Sequence, residues 1–290
     1  MKWKDFSKLI KFRLTFLVVF SASVTFLIGS KAKSGIHSAI DWKHWGMLIV
    51  GGFLVTSAAN CFNEIIEKDY DKLMKRTKDR PIPSGHMTTG QALILGLLMA
   101  ICGTYLLGSI NLTTGYISVF SILLYAFAYT PLKRLSPIPA VLVGAVAGAL
   151  PPFIGYLAGY GTVDTIALIV FSIQFVWQLP HFWAIAWVLD DDYKLAGFRL
   201  LPTGNRDLAS AIITFISTVL LVPVSLLPTI YHYGGYWVGG VSLVCSLVFL
   251  YLAFMLLVKR DIKSAQRLMF GSFFYLPIVQ LMFLFDFLGK

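Results

Sequence analysis

Apolar runs long enough to cross a bilayer recur from one end of the chain to the other. A spanning helix needs about 20 predominantly apolar residues. Nine segments meet that requirement, at approximately 12–29, 45–66, 89–109, 112–130, 138–159, 164–189, 208–230, 236–258 and 269–288. Polar residues collect between them, most densely in two connections, 67–88 after span 2 and 190–207 after span 6. Links on the opposite side are short, such as Ser109-Ile-Asn111 and Tyr160-Gly161-Thr162. The pattern predicts an all-α integral membrane protein: one nine-helix bundle over 1–290, with a central cavity open on the side of the long loops. Prolines 151, 152, 180, 223, 228 and 277 fall within spans, where neighbouring helices can satisfy the freed backbone groups. In span 5, Ala140, Gly144 and Gly148 recur at steps of four, a small-residue stripe suited to close helix packing.

The composition, 57% hydrophobic and 13% charged, leaves no stretch that reads as a soluble domain. Lys and Arg set the orientation of such a bundle. With the N-terminus cytoplasmic, 20 of the 24 basic residues share a face with the two long loops, and only Lys31, Lys33, Lys43 and Lys290 lie opposite. The net charge of +10 then reflects a basic collar facing anionic lipid, with no nucleic-acid partner implied. About a dozen residues precede span 1, too few for a cleavable presequence, so that span is expected to be retained. Cys61, Cys102 and Cys245 are widely separated within spans and show no metal-binding spacing.

The acids change the picture. Nine of the fourteen sit in two stretches: Glu64, Glu67, Asp69, Asp71 and Asp79 after span 2, and Asp190, Asp191, Asp192 and Asp207 after span 6. Carboxylates are costly near a bilayer, and clusters of them mark sites. Asn63, Glu67 and Asp71 stand at i, i+4 and i+8, one column of a helix, with Asn60 and Glu64 beside it. Oxygen ligands at that spacing suit Mg²⁺, which completes its shell with water and substrate phosphate. Ca²⁺ or plain charge balance with Lys68 and Lys72 are the alternatives, and no EF-hand spacing is present. Asp190, Asp191 and Asp192 cannot all face one way on a helix, and a helix C-terminus disfavours them. A second metal pole, with Asp191 and Asp192 as its candidate ligands, would offset that cost; a shorter helix with the three in a loop is the alternative.

Cations interleave with these acids. Arg76, Arg80 and Lys133 are candidate substrate contacts, with Lys194 and Arg199 behind the second cluster. Such groups can grip phosphate oxygens and neutralise a leaving diphosphate. The inside-positive bias alone also explains many of them. Of five histidines, His37, His44 and His232 sit on the opposite face, and His86 lies in the first long loop. His181, within Trp177-Gln-Leu-Pro180-His181-Phe-Trp183, lies inside span 6, where an imidazole either bonds within the bundle or touches a ligand. Tyr125 and Tyr129 are candidate linings for an apolar cavity whose rings could attract a cation.

One internal echo connects the two loops. Arg80-Pro-Ile-Pro-Ser-Gly85 and Arg199-Leu-Leu-Pro-Thr-Gly204 share one pattern, and each follows an aspartate, Asp71 or Asp190, by nine positions. The echo predicts a pseudo-repeat relating span 2 with its loop to span 6 with its loop.

Asn63-Glu64-x-x-Glu67-x-x-x-Asp71, nine spans and a second acidic motif resemble the UbiA-type intramembrane prenyltransferases. Further strings resemble the heme-modifying branch of that family: Arg76-Thr-Lys-Asp-Arg80-Pro, Tyr129-Thr-Pro-Leu-Lys133-Arg134, Pro180-His181-Phe-Trp183 and Asp192-Tyr-Lys-Leu-Ala196-Gly197. The wider family usually carries Asp where Glu64 and Glu67 stand. The resemblance implies a Mg²⁺-dependent transferase that joins the farnesyl group of farnesyl diphosphate to heme b. It implies Asn63, Glu67, Asp71, Asp191 and Asp192 as the metal and catalytic set, and Arg76, Arg80, Lys133, Lys194 and Arg199 on the diphosphate. His181 is its candidate heme contact. It further implies a bacterial plasma membrane, and a heme-copper oxidase or downstream heme-modifying enzyme as user of the product. The rivals are a prenyltransferase acting on a quinone precursor and a cation-coupled transporter. The transporter would carry its acids near the midplane of the bilayer rather than at one face.

Overall fold

A computed structural model describes residues 3–34 and 39–289. His37 and Lys290 lie outside the described residues. Among those described, nine helices are long and apolar enough to cross a membrane: Phe12–Lys33, Trp42–Asp71, Thr89–Ile110, Leu112–Leu135, Pro137–Tyr160, Thr165–Leu195, Leu208–Ile230, Tyr236–Lys259 and Ile262–Leu288. The chain is therefore a multi-pass membrane protein, with the number of spans that its pattern predicts.

Three ends differ from expectation. Span 2 runs on to Asp71 and span 6 to Leu195. Their charged residues mark no exit from helix, because most are paired within the bundle. Span 9 starts at Ile262, where Asp261 caps it by accepting from the Ser264 amide at 2.7 Å. A short helix, Trp3–Leu9, precedes span 1 and was not expected. Capping also absorbs acids outside the site. Asp41, Asp164 and Asp207 begin spans 2, 6 and 7 in the same way. Asp207, grouped by sequence with the second acidic stretch, is thus a helix cap.

Span 1 packs along span 5, span 2 along span 3, and span 8 along span 9, while span 6 contacts spans 5, 7 and 9. Spans 1 and 5 meet backbone to backbone. A Cβ at Gly155 would collide with the Ala22 carbonyl, and one at Gly159 with the Phe26 carbonyl. The expected stripe has another use. Gly144 gives room to the Tyr129 ring and Gly148 to the Gln178 amide, so those glycines admit side chains between helices rather than a neighbouring backbone.

Span 4 contains one wide π-type turn, Leu124–Tyr129, a device common at functional sites. It brings the rings of Tyr125 and Tyr129 to 5.3 Å and leaves Lys133 Nζ 4.8 Å above Tyr129. A groove of about 370 Å³, lined by Phe62, Ile66, Leu97, Ile122 and Phe127 among others, lies between spans 2, 3 and 4. It is a side groove and not the central cavity that the sequence predicts. The two echoed loops close on one turn. Gly85 and Gly204 both take left-handed φ, +77° and +82°, and donate to Ile82 O and Leu201 O. Only glycine adopts that φ without strain.

Candidate active site

The helix that carries the first acidic stretch buries one side of it completely. Asn60, Asn63, Glu64, Glu67 and Asp71 are all buried, whereas Asp69 is exposed and pairs with Lys72. Asn60 is a structural tie: its amide donates to Ile10 O and Thr15 Oγ1. Asn63 belongs to the site. Its Oδ1 accepts from Lys11 Nζ at 2.8 Å, and its Nδ2 donates to Thr130 Oγ1 at 3.1 Å.

Each buried acid then has its own neighbour. Glu67 Oε1 meets Lys133 Nζ at 2.5 Å, and Asp71 Oδ2 meets Arg80 Nη1 at 2.6 Å. Glu64 Oε1 accepts from the Ile82 amide at 3.2 Å. Three carboxylates (Glu64, Glu67, Asp71) thus face three cations (Lys11, Arg80, Lys133), a balance without which so many charges could not be buried. Lys11 sits at φ +50°, a conformation that costs a non-glycine residue about 1–2 kcal/mol. The strain aims its amine inward from the turn between the N-terminal helix and span 1. Burial, with Arg80 and Lys133 nearby, pushes that amine down to about 7.

Two oxygens are left over. Glu64 Oε2 and Asp71 Oδ1 are enclosed and accept no hydrogen bond among the described residues. Buried acceptors usually have partners. Spare carboxylate oxygens are the donors a hard cation such as Mg²⁺ takes. The side chains fit Mg²⁺ by chemistry, although no three acidic, His or Cys groups converge on one point among the described residues. The protein's own cations occupy the intervening positions.

The second acidic stretch is divided differently from expectation. Asp190 is buried, with Lys194 Nζ at 2.7 Å and Arg206 Nε at 3.8 Å. Asp191 is largely exposed and pairs with Arg206 Nη1 at 3.0 Å. Asp192 accepts from the amides of Lys75 and Arg76 at 2.7 and 3.3 Å. The two acidic regions therefore meet through a carboxylate on loop backbone. Arg76 lies 6.0 Å over the Tyr193 ring, on that same contact. Lys194 is held by Asp190, and Arg199 is exposed beside Gly204. The echoed loops share a turn but no ion pair: Arg80 closes on Asp71, while Asp190 takes Lys194 and Arg206.

His181 is apart from this cluster. Its ring stacks on Trp177 at 4.5 Å, and its Nδ1 is 2.7 Å from Ser272 Oγ in span 9. Sequence reasoning passed over Lys11, Thr130, Arg206 and Ser272. Lys11 is one of the many basic residues on the long-loop face, and Ser272 belongs to no motif. Both make their contacts across more than 50 residues, where no local spacing signals them.

Residues 22–277 match the model of the UbiA prenyltransferase family. A protoheme IX farnesyltransferase from Cytophaga hutchinsonii is 42% identical over 98% of this chain and 98% of its own length. One from Flavobacterium johnsoniae is 38% identical over 97% and 94%. In structure, a digeranylgeranylglyceryl phosphate synthase superposes with a TM-score of 0.82 at 20% identity, covering 99% of both chains. A UbiA homolog from Archaeoglobus fulgidus bound to GPP and Mg²⁺ gives 0.63 at 12% identity, covering 96% and 99%. A nine-span bundle, a buried acid column on span 2 and full-length kinship agree, and the chain belongs to the UbiA prenyltransferase family.

Proposed function

We propose that this protein transfers the farnesyl group of farnesyl diphosphate to a vinyl carbon of protoheme IX, yielding heme O and diphosphate. The observation that carries this reading is the 42% identity, end to end, with a protoheme IX farnesyltransferase. The buried acid–cation cluster supports it chemically. Asn63, Glu67 and Asp71, joined by the spare oxygen of Glu64, would hold Mg²⁺. When bound, the metal supplies Lewis-acid charge to the diphosphate oxygens. Asp191 pairs with Arg206 and Asp192 accepts from the 75–76 backbone, and this reading gives both to the contact between the two loops.

Arg80 and Lys133 pair with Asp71 and Glu67, and Lys11 lies on Asn63 with Glu64 and Glu67 nearby. An anionic diphosphate in their midst offers the same three groups an alternative partner, at the place where negative charge grows as the allylic C–O bond breaks. The bond's electron pair leaves with the diphosphate. The terminal vinyl carbon of the porphyrin then bonds to farnesyl C1. Water adds its oxygen to the adjacent carbon and loses a proton. The faces of Tyr125 and Tyr129, 5.3 Å apart, flank the cluster and can stabilise an allylic cation. A vinyl group needs no side-chain base to activate it. The active face is assigned to the cytoplasmic side of a bacterial plasma membrane, following the Lys/Arg bias. The product's user would be a heme-copper oxidase or a further heme-modifying enzyme.

The deciding experiment is Mg²⁺-dependent diphosphate release from farnesyl diphosphate by the purified protein, with heme b or with a quinone precursor as acceptor. Release with heme b alone, and a product heavier by a farnesyl group plus a hydroxyl, is expected. Release with the quinone precursor alone would move the protein to another branch of the family. Cation flux in liposomes without diphosphate release would remove it from transferases.

A further inference from the structure

His181 has one ring nitrogen committed and the other free. Its Nδ1 lies 2.7 Å from Ser272 Oγ. The Ser272 hydroxyl lies 2.5 Å from the Met269 carbonyl, which can only accept. A serine carries one proton. With that proton given to Met269, Ser272 must accept from His181, so the imidazole proton resides on Nδ1 and the lone pair on Nε2. No group among the described residues bonds Nε2. Nor is Nε2 among the fully enclosed unpartnered atoms, so it keeps some exposure although the residue is 91% buried.

The ring is also locked in orientation. Trp177 stacks on it at 4.5 Å and 17°, and the Trp177 indole donates to the Ser272 carbonyl. Phe273 stands edge-on at 5.4 Å and Phe182 at 5.7 Å. Stacking covers a face of the imidazole, and no hydrogen bond holds Nε2 among the described residues. A neutral histidine whose Nδ1–H is held by an oxygen, with Nε2 presented, is the usual arrangement of a metal ligand and the oxygen that orients it. Trp177, Phe182 and Phe273 make the surroundings of the ring aromatic and apolar, as contact with a flat, apolar macrocycle requires.

We propose that His181 Nε2 ligates the iron of the porphyrin acceptor and that Ser272 is the positioning residue that fixes its tautomer. The proposal rests on the farnesyl-to-heme reading above and names the group that grips the acceptor. It also makes a chemical distinction. A histidine with its proton on Nε2 would donate to a carboxylate of the porphyrin, whereas a lone pair there selects the metal.

The test is titration of the purified protein in detergent with ferric heme b and, separately, with iron-free protoporphyrin IX, read by the Soret band and by EPR. The wild-type protein is expected to give an imidazole-ligated heme spectrum. His181→Ala should lose that spectrum and weaken heme binding by about 10- to 100-fold or more, with little change for the iron-free porphyrin. Ser272→Ala should shift the spectrum and weaken heme binding within about that same range, and Ser272→Thr should restore it. Mg²⁺-dependent binding of farnesyl diphosphate monitors folding in each variant; if His181→Ala fails it, the two Ser272 variants decide. An unchanged heme spectrum in folded His181→Ala, or in both Ser272 variants, overturns the proposal. So does an equal loss of affinity for the iron-free porphyrin. Turnover of heme b by wild type alongside either result would spare the reaction and sink only the ligand, whereas wild type that neither binds nor farnesylates heme b sinks both.

Discussion

Asp192, in the last turn of span 6, accepts the backbone N–H of Lys75 at 2.7 Å across 117 residues of sequence. With the second bond from the Arg76 amide, it holds the loop that carries Arg76 and Arg80 against the other half of the bundle. A clamp of this kind depends on an acceptor, not on a full charge. Asp192→Asn keeps one oxygen and is expected to retain most activity, while Asp192→Ala should raise the KM for farnesyl diphosphate several-fold with kcat less affected. The apparent affinity for Mg²⁺ should stay unchanged in both. Were Asp192 a metal ligand, Asn would be nearly as damaging as Ala, and the Mg²⁺ titration would shift.

Glu67 and Lys133 form a close, nearly dry ion pair. Removing one partner of such a pair leaves a buried charge and costs about 3–5 kcal/mol. Glu67→Gln and Lys133→Met are each expected to lower the thermal midpoint in detergent. The double variant Glu67→Gln/Lys133→Met should recover much of that stability without recovering turnover. A double variant as unstable as the sum of the singles would mean the two groups act independently.

The architecture was legible because membrane spans announce themselves by length and apolarity, and those signals need no knowledge of tertiary contacts. Element ends were less so. Asp71 and Asp190–Asp192 read as exits into water because charge ordinarily marks an exit, yet Arg80, Lys133, Lys194 and Arg206 keep those turns helical by pairing with them or with their neighbours. Half of the expected site drew together. Asn63, Glu67, Asp71, Arg80 and Lys133 converge, since a column on one helix is visible in spacing. Asp191 and Arg199 did not join them, for helical phase turns the first outward and the loop leaves the second in solvent. Lys11 was illegible, as its reach into the site depends on a left-handed turn at a residue type that rarely makes one.

That turn can be tested apart from chemistry. Lys11→Ala and Lys11→Gly both remove the amine, and both should impair turnover and raise the KM for farnesyl diphosphate. They differ in backbone cost at φ +50°, so Lys11→Gly is expected to be more stable than Lys11→Ala by about 1 kcal/mol. Equal stability would show that the residue leaves the left-handed region when its side chain is cut. Lys11→Arg, which keeps a cation, should preserve more activity than either.

The contact between spans 1 and 5 sets a steric limit of its own. Gly155 has the Ala22 carbonyl and Thr25 Oγ1 where a Cβ would go, and Thr25 donates to Pro152 O at 2.7 Å. Gly155→Ala must push two backbones apart and is expected to destabilise by about 1–3 kcal/mol or more. Gly46 has open space at the same point, and Gly46→Ala should be neutral or slightly stabilising, since alanine is the better helix former. Thermal midpoints in one detergent suffice, and equal midpoints would mean that spans 1 and 5 pack less closely than their glycines require.

Asp71 carries the sharpest test of the metal. One of its oxygens is taken by Arg80, and the other is enclosed without a hydrogen-bond partner. Asp71→Asn preserves size and one acceptor for Arg80 but removes the charge a divalent cation needs. It is expected to fold and to lose turnover by at least about a hundred-fold, the scale seen when a group stabilising developing charge is removed. Raising Mg²⁺ should recover part of that loss, because weakened ligation is answered by concentration. Arg80→Met separates the roles, as it leaves the carboxylate in place and should respond to added farnesyl diphosphate rather than to added Mg²⁺. If Asp71→Asn turned over at the wild-type rate, the spare oxygen would hold no ion in the working enzyme, and the diphosphate would be met by Lys11, Arg80 and Lys133 alone.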